Sequence, residues 1–169
     1  MTLIVSYWRH DVNRGNYKQI ERCKNVATLT SGLKMFLRDL PNPLLDRKVV
    51  DLCLALDLEN SLKVGCNVEP TNERIRDNLK LLSTLHYDVL HFIMLHLSRV
   101  GDNQENKMSL QSLAIIFGQN LVPNKTPESN SDIAGILLEA EKTNIFIELL
   151  IKYVHEIFVK WSNLNELKY

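Results

Sequence analysis

The sequence predicts an all-α fold, and three observations carry that prediction. Apolar residues recur at spacings of three and four, no segment sustains a strict apolar/polar alternation, and stretches rich in Pro, Asn and Ser separate the periodic runs. With 169 residues, 45% hydrophobic and 24% charged, residues 1–169 have room for a single domain around one sizeable core. No internal repeat, low-complexity tract or linker interrupts them.

The elements follow in order. Residues 2–13 read as a short helix ending near Gly15, a suitable left-handed residue past a helix end. Residues 26–40 form a helix with Asn25 as N-cap, closed by Pro41 and Pro43. Gly32 inside it costs about 1 kcal/mol against alanine, which implies close packing at that turn. "DRKVVDLCLALDL" is a further helix with Val49, Leu52, Cys53 and Leu56 on one face, and "ENSLKVGCNVEP" reads as a loop. "TNERIRDNLKLLSTL" starts at Thr71 as N-cap and turns Ile75, Leu79 and Leu82 inward. "YDVLHFIMLHLSRV" is apolar nearly all round between Val89 and Leu97, which predicts a central position with neighbours on several sides, ending at Gly101. "SLQSLAIIF" is capped by Ser109. "GQNLVPNKTPESNS" reads as an exposed loop. From Asp132 the chain reads as helical to its end, with Ile147, Leu150, Ile151, Val154 and Phe158 facing the core and a break near Asn144.

Twenty Lys and Arg balance 20 Asp and Glu, so no global field draws the chain to nucleic acid or to an anionic membrane. The apolar runs are too short to span a bilayer. Cys23, Cys53 and Cys66 lack C-x-x-C spacing, which fits free thiols in the cytoplasm. His86, His91 and His96 recur every fifth residue and so scatter around a helix by about 140° per step. They do not converge on a metal. Phosphate-loop, serine-nucleophile and zinc-protease motifs are absent, so no cofactor or self-sufficient active site is expected.

One stretch calls for more. In "LKMFLRDLPNPLL", Leu33, Phe36, Leu37 and Leu40 form an apolar stripe, yet Lys34 and Arg38 stand one turn apart beside it, where like charges repel. Either both stems lie along apolar surface with their heads in water, or an anion or protein dipole meets the pair.

That stretch, followed by "LHFIMLHLSRV" with Leu90, His96, Leu97 and Val100 in register and by "NKMSLQSLAIIFGQNL", resembles the GTPase-activating (RhoGAP) domain of the Rho family. The resemblance covers about residues 15–158. It implies an all-helical bundle with a four-helix core and a monomeric partner for a Rho-family small GTPase of Rho, Rac or Cdc42 type. The activator is not an enzyme by itself. It acts in trans, an arginine stabilising the transferring phosphoryl group, worth about 10³ to 10⁵ in rate. The resemblance assigns Lys34 and Arg38 to GTPase contact. Asn120 matches a residue that faces the GTPase. Ser112 stands where the family has a contacting asparagine, and Gln119 where it has a proline. Leu113, Ala114, Ile116 and Phe117 are core, and Asn106 and Met108 shape the helix entry.

The family's arginine loop, G-[IF]-[FY]-R-x-S-G, precedes the L-K pair, and counting back from Leu33 runs off the start of this chain. Arg9 and Arg14 lie in the place of the helix after that loop, so no catalytic residue is assigned. The expected activity is therefore weak or nil, with apolar surface exposed where the preceding helices are lacking. The alternative is a catalytically silent module that holds a GTPase or another signalling protein.

Overall fold

The computed structural model describes residues 8, 10–63, 65–122 and 133–159, and every regular element among them is helical. The chain divides into two compact units, residues 1–43 and 44–169.

In the first unit residues 10–12 are helical, and Gly15 takes a left-handed φ of 71° just beyond them, the conformation glycine adopts without steric cost. Residues 2–7 of the expected helix lie outside the described residues. A helix the periodicity did not predict, α1 (Lys18–Arg22), follows; it buries none of its five residues, so it carries no apolar stripe to read. Helix α2 (Val26–Arg38) starts as expected, the Asn25 side chain accepting the Thr28 N–H at 3.0 Å. It stops two residues short of Leu40, because the residue before Pro41 is disfavoured in helical conformation. Gly32 is explained by Trp8, which is buried: a Cβ at Gly32 would lie 2.9 Å from the indole ring.

The second unit opens with α3 (Arg47–Leu54), capped by Asp46, whose carboxylate accepts the Lys48 N–H at 2.7 Å. Its buried face is Val49, Val50, Cys53 and Leu54, and Leu52 is exposed, which corrects the face expected from spacing. The stretch expected as a loop contains the short α4 (Leu58–Ser61), tied down by the Ser61 hydroxyl donating to Thr71 Oγ1 at 2.9 Å. Helix α5 (Glu69–Leu79) begins before the expected cap Thr71, with Pro70 in its first turn, where the missing N–H costs nothing. Ile75, Leu79 and Leu82 are buried as expected.

Helix α6 (Thr84–Asp102) is capped by Ser83 and buries Leu90, Met94 and Leu97. It is not enclosed on all sides: Val89 is exposed and Phe92 is 74% exposed. Gly101 does not end it but sits in its last turn, facing the Leu110 side chain. After a 3₁₀ turn (Gln104–Asn106), Ser109 caps α7 (Leu110–Leu121), accepting the Ser112 N–H at 3.1 Å. The expected loop at 118–131 is helical through Leu121, and residues 123–131 lie outside the described set.

Helix α8 (Ile133–Lys152) runs unbroken through Asn144; the interruption falls instead at Tyr153, before α9 (Val154–Ile157). The expected helical end, residues 160–169, is outside the described set. Phe146, Ile147, Leu150 and Ile151 form the centre of this unit's core with Leu90, Met94, Leu113 and Ala114. The turn of α9 is fastened by Arg76, whose Nε donates to the Glu156 carbonyl at 3.0 Å, by the Tyr87 hydroxyl donating to the Val159 carbonyl at 3.2 Å, and by His91 stacked on Phe158 with centroids 4.9 Å apart.

Candidate functional site

Lys34 and Arg38 are held by α2, which Asn25 starts and Pro41 limits. One turn separates them, so both project from the same side of the helix. Lys34 is half-buried and Arg38 is exposed, its side chain 60% accessible. Arg38 Nε lies 3.5 Å from Asp39 Oδ1, and an ion pair this exposed is worth only about 0–1 kcal/mol. The guanidinium is therefore available to a stronger acceptor. Exposed Leu33 and Phe36 stand on the same helix.

Ser112, Gln119 and Asn120 are held by α7. Its buried side is Leu113, Ala114, Phe117, Gly118 and Leu121, while Ile116 is half-buried rather than core. Ser112, Ile115 and Gln119 are exposed and fall within about 60° of arc at 3.6 residues per turn. They form one strip along the outward side. Asn120 lies off the strip and is half-buried, its Nδ2 donating to the Ile116 carbonyl at 2.7 Å. Ser112 Oγ lies 2.9 Å from Ser109 Oγ, so its hydroxyl is engaged within the cap. Asn106 shapes the entry, its Nδ2 donating to the Val100 carbonyl at 3.1 Å.

Ile115, 43% exposed, is the residue on this strip that the motif comparison did not single out. Its place within about 60° of Ser112 and 40° of Gln119 on the helical wheel was the available signal.

The sequence pattern of the RhoGAP domain matches residues 4–126. The chain belongs to the RhoGAP domain family. Among curated relatives of this RhoGAP-family chain, the GTPase-activating protein pac-1 of Caenorhabditis elegans is 32% identical over 133 residues, covering 78% of this chain and 8% of that protein. N-chimaerin of Homo sapiens is 31% identical over 134 residues, covering 76% of this chain and 26% of that protein. The chain thus spans well under half the length of these relatives. Among solved structures, the BH domain from GRAF, the GTPase regulator associated with focal adhesion kinase, superposes with a TM-score of 0.62 at 29% identity, over 80% of this chain and 69% of that one. Human Rho GTPase activating protein 15 gives a TM-score of 0.73 at 23% identity over 94% and 72%, a likeness of fold. The all-α class of the RhoGAP-like chain agrees with both.

Proposed function

We propose that these residues bind a GTP-loaded Rho-family small GTPase as a monomer and, by themselves, accelerate its GTP hydrolysis little or not at all. The observation that carries the binding half is the pair Lys34 and Arg38 on one side of α2, with the Arg38 head exposed and only loosely paired. Two cations one turn apart repel each other, and that cost is offset when carboxylates or carbonyls of a partner accept from both. On α7 the strip of Ser112 and Gln119, with Asn120 at its flank, offers uncharged polar groups to the same class of partner.

The second half rests on chemistry. Acceleration of phosphoryl transfer depends on a cation placed against charge that develops on the equatorial oxygens. Residues 1–169 contain no G-[IF]-[FY]-R motif to supply it. Binding without that cation leaves the hydrolytic barrier nearly where the GTPase alone sets it. The free state of Cys23, Cys53 and Cys66 fits a reducing compartment such as the cytoplasm.

The test is equilibrium binding and single-turnover hydrolysis with Rho-, Rac- and Cdc42-type GTPases. We expect saturable binding to the GTP-loaded form of at least one, weakened about tenfold by Lys34→Ala or Arg38→Ala, as for loss of a charge-assisted hydrogen bond. Acceleration of several orders that disappears on Arg9→Ala would overturn the catalytic half. The reading of a silent interaction module is favoured by the Ser112 hydroxyl being engaged by Ser109. Robust binding with unchanged hydrolysis, even in a longer chain carrying an arginine loop, would select it.

A further inference from the structure

Helix α7 contains no ionisable residue: Leu110–Leu121 reads LQSLAIIFGQNL. Its outward strip therefore carries no charge of its own, in contrast to the cationic side of α2. A charged partner group placed against it would lose hydration and meet no counter-charge on the helix, which disfavours a desolvated ion. The strip suits an uncharged surface.

Its polar groups are not equivalent. The Ser112 hydroxyl is 2.9 Å from the Ser109 hydroxyl, and the same Ser109 oxygen accepts the Ser112 N–H at 3.1 Å. The short side chain is thus folded back into the cap. Asn120 has committed an amide hydrogen to the Ile116 carbonyl and stands off the strip. Gln119 is exposed two turns beyond Ser112, and no hydrogen bond within the protein engages its side chain among the described residues. An amide carries an acceptor and two donor hydrogens on one planar head. One turn before it, exposed Ile115 supplies apolar surface that excludes water beside the amide and so strengthens a hydrogen bond made there.

We propose that Gln119, rather than Ser112, makes the polar contact of α7 with the GTPase, and that it pairs with an uncharged main-chain peptide edge beside an apolar side chain. The assignment rests on the GTPase-binding reading above. Gln119 replaces a proline in the resembled pattern, so the contact is particular to this chain: a proline at this position has no side-chain donor or acceptor. Recognition by a neutral amide depends little on ionic strength, whereas the contribution of Lys34 and Arg38 falls as salt screens it.

The test is binding of the whole chain to the GTPase loaded with a non-hydrolysable GTP analogue, at low and at high salt. Gln119→Ala is expected to weaken binding about threefold to tenfold, the span of one net hydrogen bond, with the same factor at both salt concentrations. Its thermal midpoint stays at that of the unsubstituted chain, because the side chain makes no hydrogen bond to the described residues. Gln119→Glu weakens binding further, by setting an unpaired charge against the neutral edge. Unchanged affinity in Gln119→Ala, or a larger loss in Ser112→Ala than in Gln119→Ala, overturns the assignment while leaving the GTPase reading intact where Lys34→Ala still weakens binding. Absence of binding by the unsubstituted chain to all three GTPase types overturns both.

Discussion

Arg47 Nη2 lies 2.7 Å from Glu139 Oε1 and so ties α3 to the exposed first half of α8; the same nitrogen contacts Asp51 one turn along α3. Burial works against the cation, but hydrogen bonds and charge from Asp51 and Glu139 outweigh it and hold the Arg47 pKa above its ordinary value. Both members of the inter-helix pair keep only about a quarter of their side-chain surface in water, 26% and 28%. A double-mutant cycle with Arg47→Met and Glu139→Gln is expected to give a coupling of about 1 kcal/mol, reduced by salt. A coupling of zero at low salt would show the bridge to be incidental.

Gly32→Ala is expected to destabilise the chain, although alanine is the better helix former by about 1 kcal/mol. The added methyl meets a buried indole at 2.9 Å, and overpacking of this kind costs about 1–3 kcal/mol. Urea denaturation of the single variant and of Gly32→Ala combined with Trp8→Leu decides it: relief of the loss in the double variant identifies the clash as the cause.

Asn72 is 1% exposed, and neither its Nδ2 nor its Oδ1 has a hydrogen-bond partner among the described residues. A buried amide left in that condition costs about 1–3 kcal/mol. Asn72→Leu should therefore leave stability unchanged or raise the urea midpoint, against the usual direction of a core substitution. A marked fall would mean that the amide is satisfied in solution.

Cys53 is completely buried, and that burial pushes its thiol up to about 12 despite the Asn78 amide donating to its sulfur at 3.7 Å. The thiolate is the reactive form. In the native chain exposed Cys66 is expected to react with an alkylating reagent at mildly alkaline pH while Cys53 reacts only on unfolding. Mass mapping after a short pulse, with and without denaturant, checks this; early modification of Cys53 in the native chain would contradict it.

Burial raises the Glu148 carboxyl pKa, the charge of Lys152 offsetting part of the rise. The folded chain then holds this proton more tightly than the unfolded chain does. Stability from this group is accordingly present below the ordinary carboxylate range and is lost as pH rises from there through the raised folded value. Glu148→Gln should be more stable than the parent at neutral pH, with the advantage vanishing in acid. Parallel melting curves over that interval test the sign.

Much of the fold is legible in the residues because its signals are local. Asn25 and Ser109 cap where expected, since capping depends on a few neighbouring atoms, and the inward set Ile75, Leu79 and Leu82 follows from spacing alone. The failures have a common origin in tertiary context. Leu52 and Val50 compete for the buried side of a two-turn helix, and only the position of neighbouring elements decides between them. Helix α4 is four residues long, too short for a period. Asn144 has weak helix propensity, yet the packing of Phe146 and Ile147 carries α8 through it. At the candidate site the motif spacing singles out Lys34, Arg38, Ser112, Gln119 and Asn120 as candidates, whereas the Ser109 hydroxyl that engages Ser112 is a matter of side-chain rotation and leaves no trace in composition.

Leu85, Val89 and Phe92 recur at i, i+4 and i+7 along α6, 70%, 37% and 74% exposed. Contiguous greasy surface of this sort limits how far a purified chain can be concentrated. Salts that are excluded from protein surfaces strengthen such contacts, so ammonium sulfate should precipitate this chain early, and a fluorescent dye that brightens in apolar surroundings should light up on the native state without any unfolding.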